Sequence, residues 1–82
     1  DNNALNGVWV KNPIQNNLEI YTSYNLENAT VKITDVLGKT ITTFDNLSIN
    51  QRIELPVTLQ SGMYMVTIKT ENGIITKKVI KE

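Results

Sequence analysis

The sequence predicts an all-β domain, an antiparallel β-sandwich of about seven short strands with Ig-like or jelly-roll connections. Three observations favour this fold class. Apolar residues recur with a period of two along most of the chain, no stretch keeps a helical period for the length of a helix, and turn-forming residues recur about every 8 to 12 positions. The chain of 82 residues is long enough for one core but not for two.

The chain opens with a polar segment and a short strand. Residues 1–7, DNNALNG, are rich in Asn, and we interpret them as a linker remnant that precedes one domain at residues 8–82. The first predicted strand lies in VWV. It is ended by Asn12 and Pro13, because proline lacks the N–H that a strand ladder needs.

Two further strands follow in the first half. In LEIY, Leu18 and Ile20 share one face, and in VKIT, Val31 and Ile33 alternate with polar residues. Such alternation is typical of a sheet that has one face on the core and the other in water. These segments therefore predict strands of an antiparallel sheet.

Two polar corners separate the next two strands. The segment Asp35–Lys39 predicts a hairpin loop, in which Gly38 is free to take a positive φ, and the chain returns as TITTF. Asp45 and Asn46 predict a second corner before the strand RIEL, and Pro56 either ends this strand or lies at a sheet edge.

The last third of the chain predicts a hairpin of two long strands, MYMVTIKT and IITKKVIK. Asn72 and Gly73 predict a two-residue type I′ turn between them, because both residue types tolerate positive φ. That turn places Val66 opposite Val79. The strand MYMVTIKT is expected to be central in its sheet and to bury one face, formed by Tyr64, Val66 and Ile68.

The composition argues against catalysis. Without Cys or His, the chain has no disulfide, no thiolate metal site and no Ser-His-Asp relay. The carboxylates are scattered, with no pattern that forces two of them together as an acid and base pair. Eight basic and eight acidic side chains cancel, so no overall field attracts nucleic acid. We therefore expect no enzymatic activity, no cofactor, no metal and no nucleic-acid partner.

Two groups of residues suggest binding. Trp9, Tyr21 and Tyr24 could form an aromatic platform for sugar rings, although packing is the commoner role of such residues. The C-terminal segment contains four lysines, at positions 69, 77, 78 and 81, against Glu71 and Glu82. These lysines either protect an edge strand from aggregation or offer a basic, partly apolar handle to a partner.

Four segments, in this order, carry a resemblance: NPIQNNLEI, VKITDVLGKTI, LQSGMYMVTI and the terminal TKKVIKE. As a set they resemble the type A C-terminal sorting domain of the type IX (Por) secretion system of Gram-negative bacteria. The resemblance extends from about Val8 to the end of the chain. The family is an Ig-like sandwich, which agrees with the fold predicted above.

The resemblance implies a non-catalytic signal at the end of a larger secreted protein. The implied partners are an outer-membrane receptor or translocon, a sortase, and the N-terminal cargo domain of the same precursor. The cargo would pass through the periplasm and outer membrane to the medium or the cell surface. The alternative is an Ig-like accessory module that packs on a catalytic domain or binds carbohydrate.

By position, the resemblance also implies roles for particular residues. The partner-recognition residues would be Lys77, Lys78, Val79, Ile80 and Lys81. The residues of the family's structural motifs would be Asn12, Pro13, Asp35, Gly38, Lys39, Gly62 and Tyr64. The chain departs from the family pattern at Lys11, where Pro is common, and at the acidic Glu82.

Overall fold

A computed structural model describes residues 7–82, so the predicted linker remnant lies outside the described residues apart from Gly7. The described part contains seven strands and confirms the all-β prediction. They are β1 Val8–Val10, β2 Asn17–Thr22, β3 Leu26–Asp35, β4 Thr40–Ile49, β5 Arg52–Pro56, β6 Gly62–Thr70 and β7 Gly73–Lys81. Residues 7–82 include no helix long and apolar enough to cross a membrane.

The strands form two antiparallel sheets. One has the order β1-β2-β5, and the other has the order β4-β3-β6-β7. In immunoglobulin nomenclature these orders correspond to A-B-E and C′-C-F-G, and residues 7–82 contain no strand D. The fold is therefore an Ig-like sandwich, as the family resemblance implies.

The core lies between the two sheets because each strand turns alternate side chains inward. The predicted inner face of β6 is confirmed, and β6 is central, between β3 and β7. The buried apolar residues of the core are Val8, Ile14, Leu18, Ile20, Leu26, Ala29, Val31, Ile33, Ile49, Leu55, Tyr64, Val66, Ile68 and Val79.

The β6–β7 hairpin has a different register from the predicted one. Thr70 pairs with Gly73, so the loop residues are Glu71 and Asn72, and Val79 lies opposite Tyr64 instead of Val66. Asn72 does not take a positive φ, and its N–H donates to the Thr70 hydroxyl at 3.1 Å. A buried threonine thus sets the turn. The register differs by two residues in total, which leaves the buried face unchanged.

The corner predicted at Asp45 and Asn46 is wrong. Both residues lie inside β4, where Asn46 takes a φ of 57° next to a shift in register with β3. A polar pair in the sequence therefore marks a β-bulge here and not the end of a strand. The chain turns at Gln51, whose φ is 72°.

Candidate functional site

β7 forms an outer edge of the four-stranded sheet and contains all five residues predicted for partner recognition: Lys77, Lys78, Val79, Ile80 and Lys81. Val79 is buried in the core, and the half-buried Lys77 lies on the same side of the strand. Lys78 and Ile80 face outward, and Ile80 is 48% exposed. The predicted residues are therefore divided between the two faces of one edge strand.

The end of β7 is held by the segment that begins with Asn12 and Pro13, two of the predicted motif residues. The Asn12 side-chain oxygen accepts a hydrogen bond of 2.9 Å from the Ile80 N–H. The Ile14 N–H donates to the Ile80 carbonyl at 2.7 Å, and the Glu82 N–H donates to the Ile14 carbonyl at 3.2 Å. The peptide bond between Asn12 and Pro13 is cis. We call residues 12–14 the clamp, because they cover the edge of the last three residues.

Sequence reasoning missed Ile14, which anchors the clamp. Its side chain is only 1% exposed and belongs to the core. The available signal was a single apolar residue isolated among polar ones in NPIQNN. The residues around it do not alternate between apolar and polar, so the period-two pattern of a strand gives no indication of its burial. The clamp thus combines a core anchor at Ile14 with a polar cap at Asn12.

The hairpin loop predicted at Asp35–Lys39 is shaped by Asp35 and Gly38. One carboxylate oxygen of Asp35 accepts hydrogen bonds from the N–H groups of Leu37 and Lys39, both at 2.9 Å. Gly38 has a φ of 91°, which few other residues adopt without strain. The Lys39 side chain is exposed, and Leu37 at the tip of the loop is 90% exposed.

Gly62 and Tyr64 lie where β5 turns into β6. The Tyr64 hydroxyl donates to the Gln60 carbonyl at 2.7 Å, while its ring is buried. A tyrosine near the start of strand F that bonds back to the chain is the tyrosine corner of Ig-like folds. Gly62, with a φ of 152°, opens β6. Both residues thus define the corner that precedes the central strand.

Ion pairs within residues 7–82 lie on the three-stranded sheet. The carboxylate of Glu19 accepts a hydrogen bond from the Tyr21 hydroxyl at 2.6 Å and another from Arg52 at 3.2 Å. Its second oxygen lies 3.6 Å from the Lys11 ammonium, and Arg52 also contacts Glu54. The Tyr21 hydrogen bond, followed by the two cations, lowers the pKa of Glu19, and partial burial opposes them.

Lysines of the four-stranded sheet are not paired in this way. Among the described residues, no carboxylate lies within ion-pair distance of Lys32, Lys69, Lys77 or Lys78. The Lys81 ammonium donates to the Glu82 carbonyl at 2.8 Å. The charged side chains of β6 and β7 are all lysines, so the charge on these two strands is positive.

The three aromatic residues considered for sugar binding do not form one row. Trp9 is 57% exposed and lies opposite Tyr21 on the outer face of the three-stranded sheet. The Arg52 guanidinium lies 5.8 Å from the centre of the Tyr21 ring. Tyr24 lies beyond the end of β2. Within the described part of the chain, no three His, Cys, Asp or Glu residues could hold a metal ion.

Comparison with known proteins identifies one family. The family model described as the secretion system C-terminal sorting domain matches residues 12–82. The match begins at Asn12, the first residue of the clamp, and ends at Glu82, which the clamp holds. No curated protein matches the chain. No solved structure matches it either.

Proposed function

The chain belongs to the family of secretion system C-terminal sorting domains, and on this premise we propose that it directs a larger cargo protein across the outer membrane by the type IX secretion system. Domains of this kind are generally non-catalytic signals attached to an N-terminal cargo region. Their presence implies interaction with the secretion machinery and export to the cell surface or beyond.

The main support for the proposal is the contact between the two ends of the matched region. The clamp orders the last three residues against the folded sandwich, so a receptor can meet them in one defined conformation. Binding a preformed segment avoids the entropy cost of ordering it at the moment of association. In this proposal the signal is the folded domain with the end of β7 fixed on it.

The lysines supply the charge that such a receptor would read. Lys78 faces outward beside the exposed Ile80, and no carboxylate neutralises it within the described residues. Lys77 lies on the other side of the strand and Lys81 near its end. We propose that an outer-membrane receptor or translocon recognises this basic and partly apolar strand. A sortase then acts on the precursor.

A fusion tests the proposed function. Residues 1–82 are joined to the C-terminus of a reporter that carries its own export signal, and the host has the type IX secretion system. We expect the reporter in the medium or on the cell surface. If the fusion stays in the periplasm while an established sorting domain exports the same reporter, the proposed function is wrong.

A charge variant tests the recognition residues. Replacing Lys78 and Lys81 with Gln keeps the chain length and the aliphatic stems, so we expect stability to change by about 1 kcal/mol or less. Secretion should nevertheless fall. The matched control replaces Lys32 and Lys69 with Gln, which removes the same charge from the same sheet but from β3 and β6. An equal loss of secretion in both variants would mean that the receptor responds to overall charge. No loss of secretion in the Lys78 and Lys81 variant would mean that these lysines protect the edge strand.

A further inference from the structure

The backbone of β7 has unpaired groups along its outer side. Both the N–H and the C=O of Ile80 point away from β6, because they bond to the clamp. The register with β6 continues without a shift, so the same direction applies to every second residue. The backbone groups of Ile74, Thr76 and Lys78 therefore point to the open edge. No backbone group of residues 7–82 pairs with them.

The other three edges of the sandwich are poor sites for another strand. β1 has only three residues, and β5 has five and ends at Pro56. β4 is long, but its pairing is interrupted by register shifts and by the positive φ of Asn46. Short strands, proline and bulges are the usual protection against edge pairing. β7 alone among the four has nine residues in regular register.

Charge restricts what can pair with this edge. Lys77 and Lys78 flank it on opposite faces. Neither has a carboxylate partner among the described residues. A second copy of this chain would bring the same lysines together, and like charges that lie opposite one another destabilise a strand pair. An acidic strand would neutralise them instead.

We propose that the open edge of β7 from Ile74 to Lys78 binds an extended acidic segment of the secretion receptor by strand addition. This inference rests on the proposed function and specifies how the receptor binds. The clamp limits the site, since it already occupies the edge at Ile80 and beyond. The remaining five residues match the length of an ordinary strand. Main-chain hydrogen bonds would supply affinity, and the lysines would select the partner.

Thr76 provides the test variant. Thr76→Pro removes an outward N–H and fills the edge with the proline ring, while it leaves the hydrogen bonds to β6 in place. Thr76→Val keeps the N–H and removes the hydroxyl, which contacts Thr67 at 3.2 Å. In the reporter fusion we expect export to fall about tenfold or more for Thr76→Pro and to stay normal for Thr76→Val. Circular dichroism and the melting transition must show that both variants fold.

The outcomes separate this inference from the proposed function. If the unmodified fusion is exported and folded Thr76→Pro is exported equally well, strand addition is wrong and the sorting function remains. If Thr76→Val also fails, the receptor reads the hydroxyl, and the inference is wrong again. If the unmodified fusion is not exported, the proposed function itself fails.

Photo-crosslinking decides the matter if Thr76→Pro does not fold. A benzophenone amino acid replaces Ile74, Thr76 or Lys78, one at a time, in the fusion during export. Mass spectrometry then locates the linked residue of the partner. Strand addition predicts one acidic segment in which the linked residue moves by about two positions at each step. Links to unrelated segments, or to a second copy of this chain, would refute the proposal.

Discussion

Asn12 and Ile80 are 68 positions apart in the sequence, and the side-chain oxygen of one accepts a 2.9 Å hydrogen bond from the backbone N–H of the other. The carbonyl of Ile80 is bonded as well, to the N–H of Ile14. One short segment therefore satisfies both backbone groups at the end of the terminal strand. This arrangement gives Asn12, one of the predicted motif residues, a defined structural role.

Removing the acceptor should loosen the end of β7 without unfolding the domain. For Asn12→Ala we expect a loss of about 0.5 to 1 kcal/mol, because water can replace the acceptor at this exposed site. Asn12→Asp keeps a side-chain oxygen and should stay close to the original stability. Amide hydrogen exchange should become faster at Ile80 in the alanine variant alone. Unchanged exchange there would mean that the hydrogen bond does not hold the strand.

The turn between β3 and β4 depends on Gly38. A Cβ at this position would meet no atom within 4 Å, so Gly38→Val tests the backbone conformation without steric crowding. Because Gly38 has a φ of 91°, we expect the substitution to destabilise the fold by about 1 to 3 kcal/mol. Gly38→Asn should cost less, since Asn tolerates positive φ. Denaturant unfolding measures both, and equal stability of all three proteins would show that φ is negative in solution.

The tyrosine corner should contribute measurably to stability. Tyr64→Phe removes the hydroxyl that bonds to the Gln60 carbonyl, and we expect a loss of about 1 kcal/mol. The matched control is Tyr24→Phe, which alters an exposed hydroxyl with no hydrogen bond among residues 7–82. Thermal unfolding should distinguish the two. Identical stability losses in the two variants would indicate that the corner hydrogen bond makes no net contribution to stability.

The stability of the domain should decrease in acid partly through Glu19. Its pKa lies below the ordinary value of 4.5, chiefly because the Tyr21 hydroxyl bonds to the carboxylate. The folded state therefore binds this proton less readily than the unfolded chain does. The resulting stabilisation is complete above the unfolded pKa and is lost as the pH falls through the folded pKa.

Unfolding measured at a series of pH values tests this linkage. For Glu19→Gln we expect a shallower decrease between neutral pH and acid than for the original protein. Glu71→Gln, which removes one carboxylate from the exposed β6–β7 turn, serves as the matched control. A Glu19→Gln profile parallel to that of the original protein would contradict the prediction.

Sequence alone could predict the strands and the buried face of β6, because the alternation of Tyr64, Val66 and Ile68 records which side meets the core. It could not predict the details of the turns. Asn46 is polar and suited to positive φ, yet it lies in a bulge within β4. The residues of a turn and of a bulge have the same local chemistry, so only pairing with the neighbouring strand distinguishes them.

The candidate site shows the same limit. The segment that contains Lys77 to Lys81 could be proposed from charge and resemblance, and it does lie on an edge strand. The clamp could not be predicted, because Asn12 and Ile80 meet only through the folding of the whole sandwich. No local pattern connects residues that are so distant in sequence.

The direction of the clamp also has a mechanical consequence. The bridge between Ile14 and Lys81 is parallel, so the clamp and β7 run in the same direction. The amino end of the clamp and the carboxyl end of β7 therefore lie at opposite ends of their contact. A force that pulls on the cargo side while a translocon holds the carboxyl end would load the hydrogen bonds between the clamp and β7 in shear. Bonds loaded in shear share the force and break together, whereas bonds at a peeling end break one at a time. Forced unfolding depends on the barrier crossed and not on equilibrium stability. Under the proposed function, the clamp would therefore resist a force applied between the cargo and the carboxyl end of the domain.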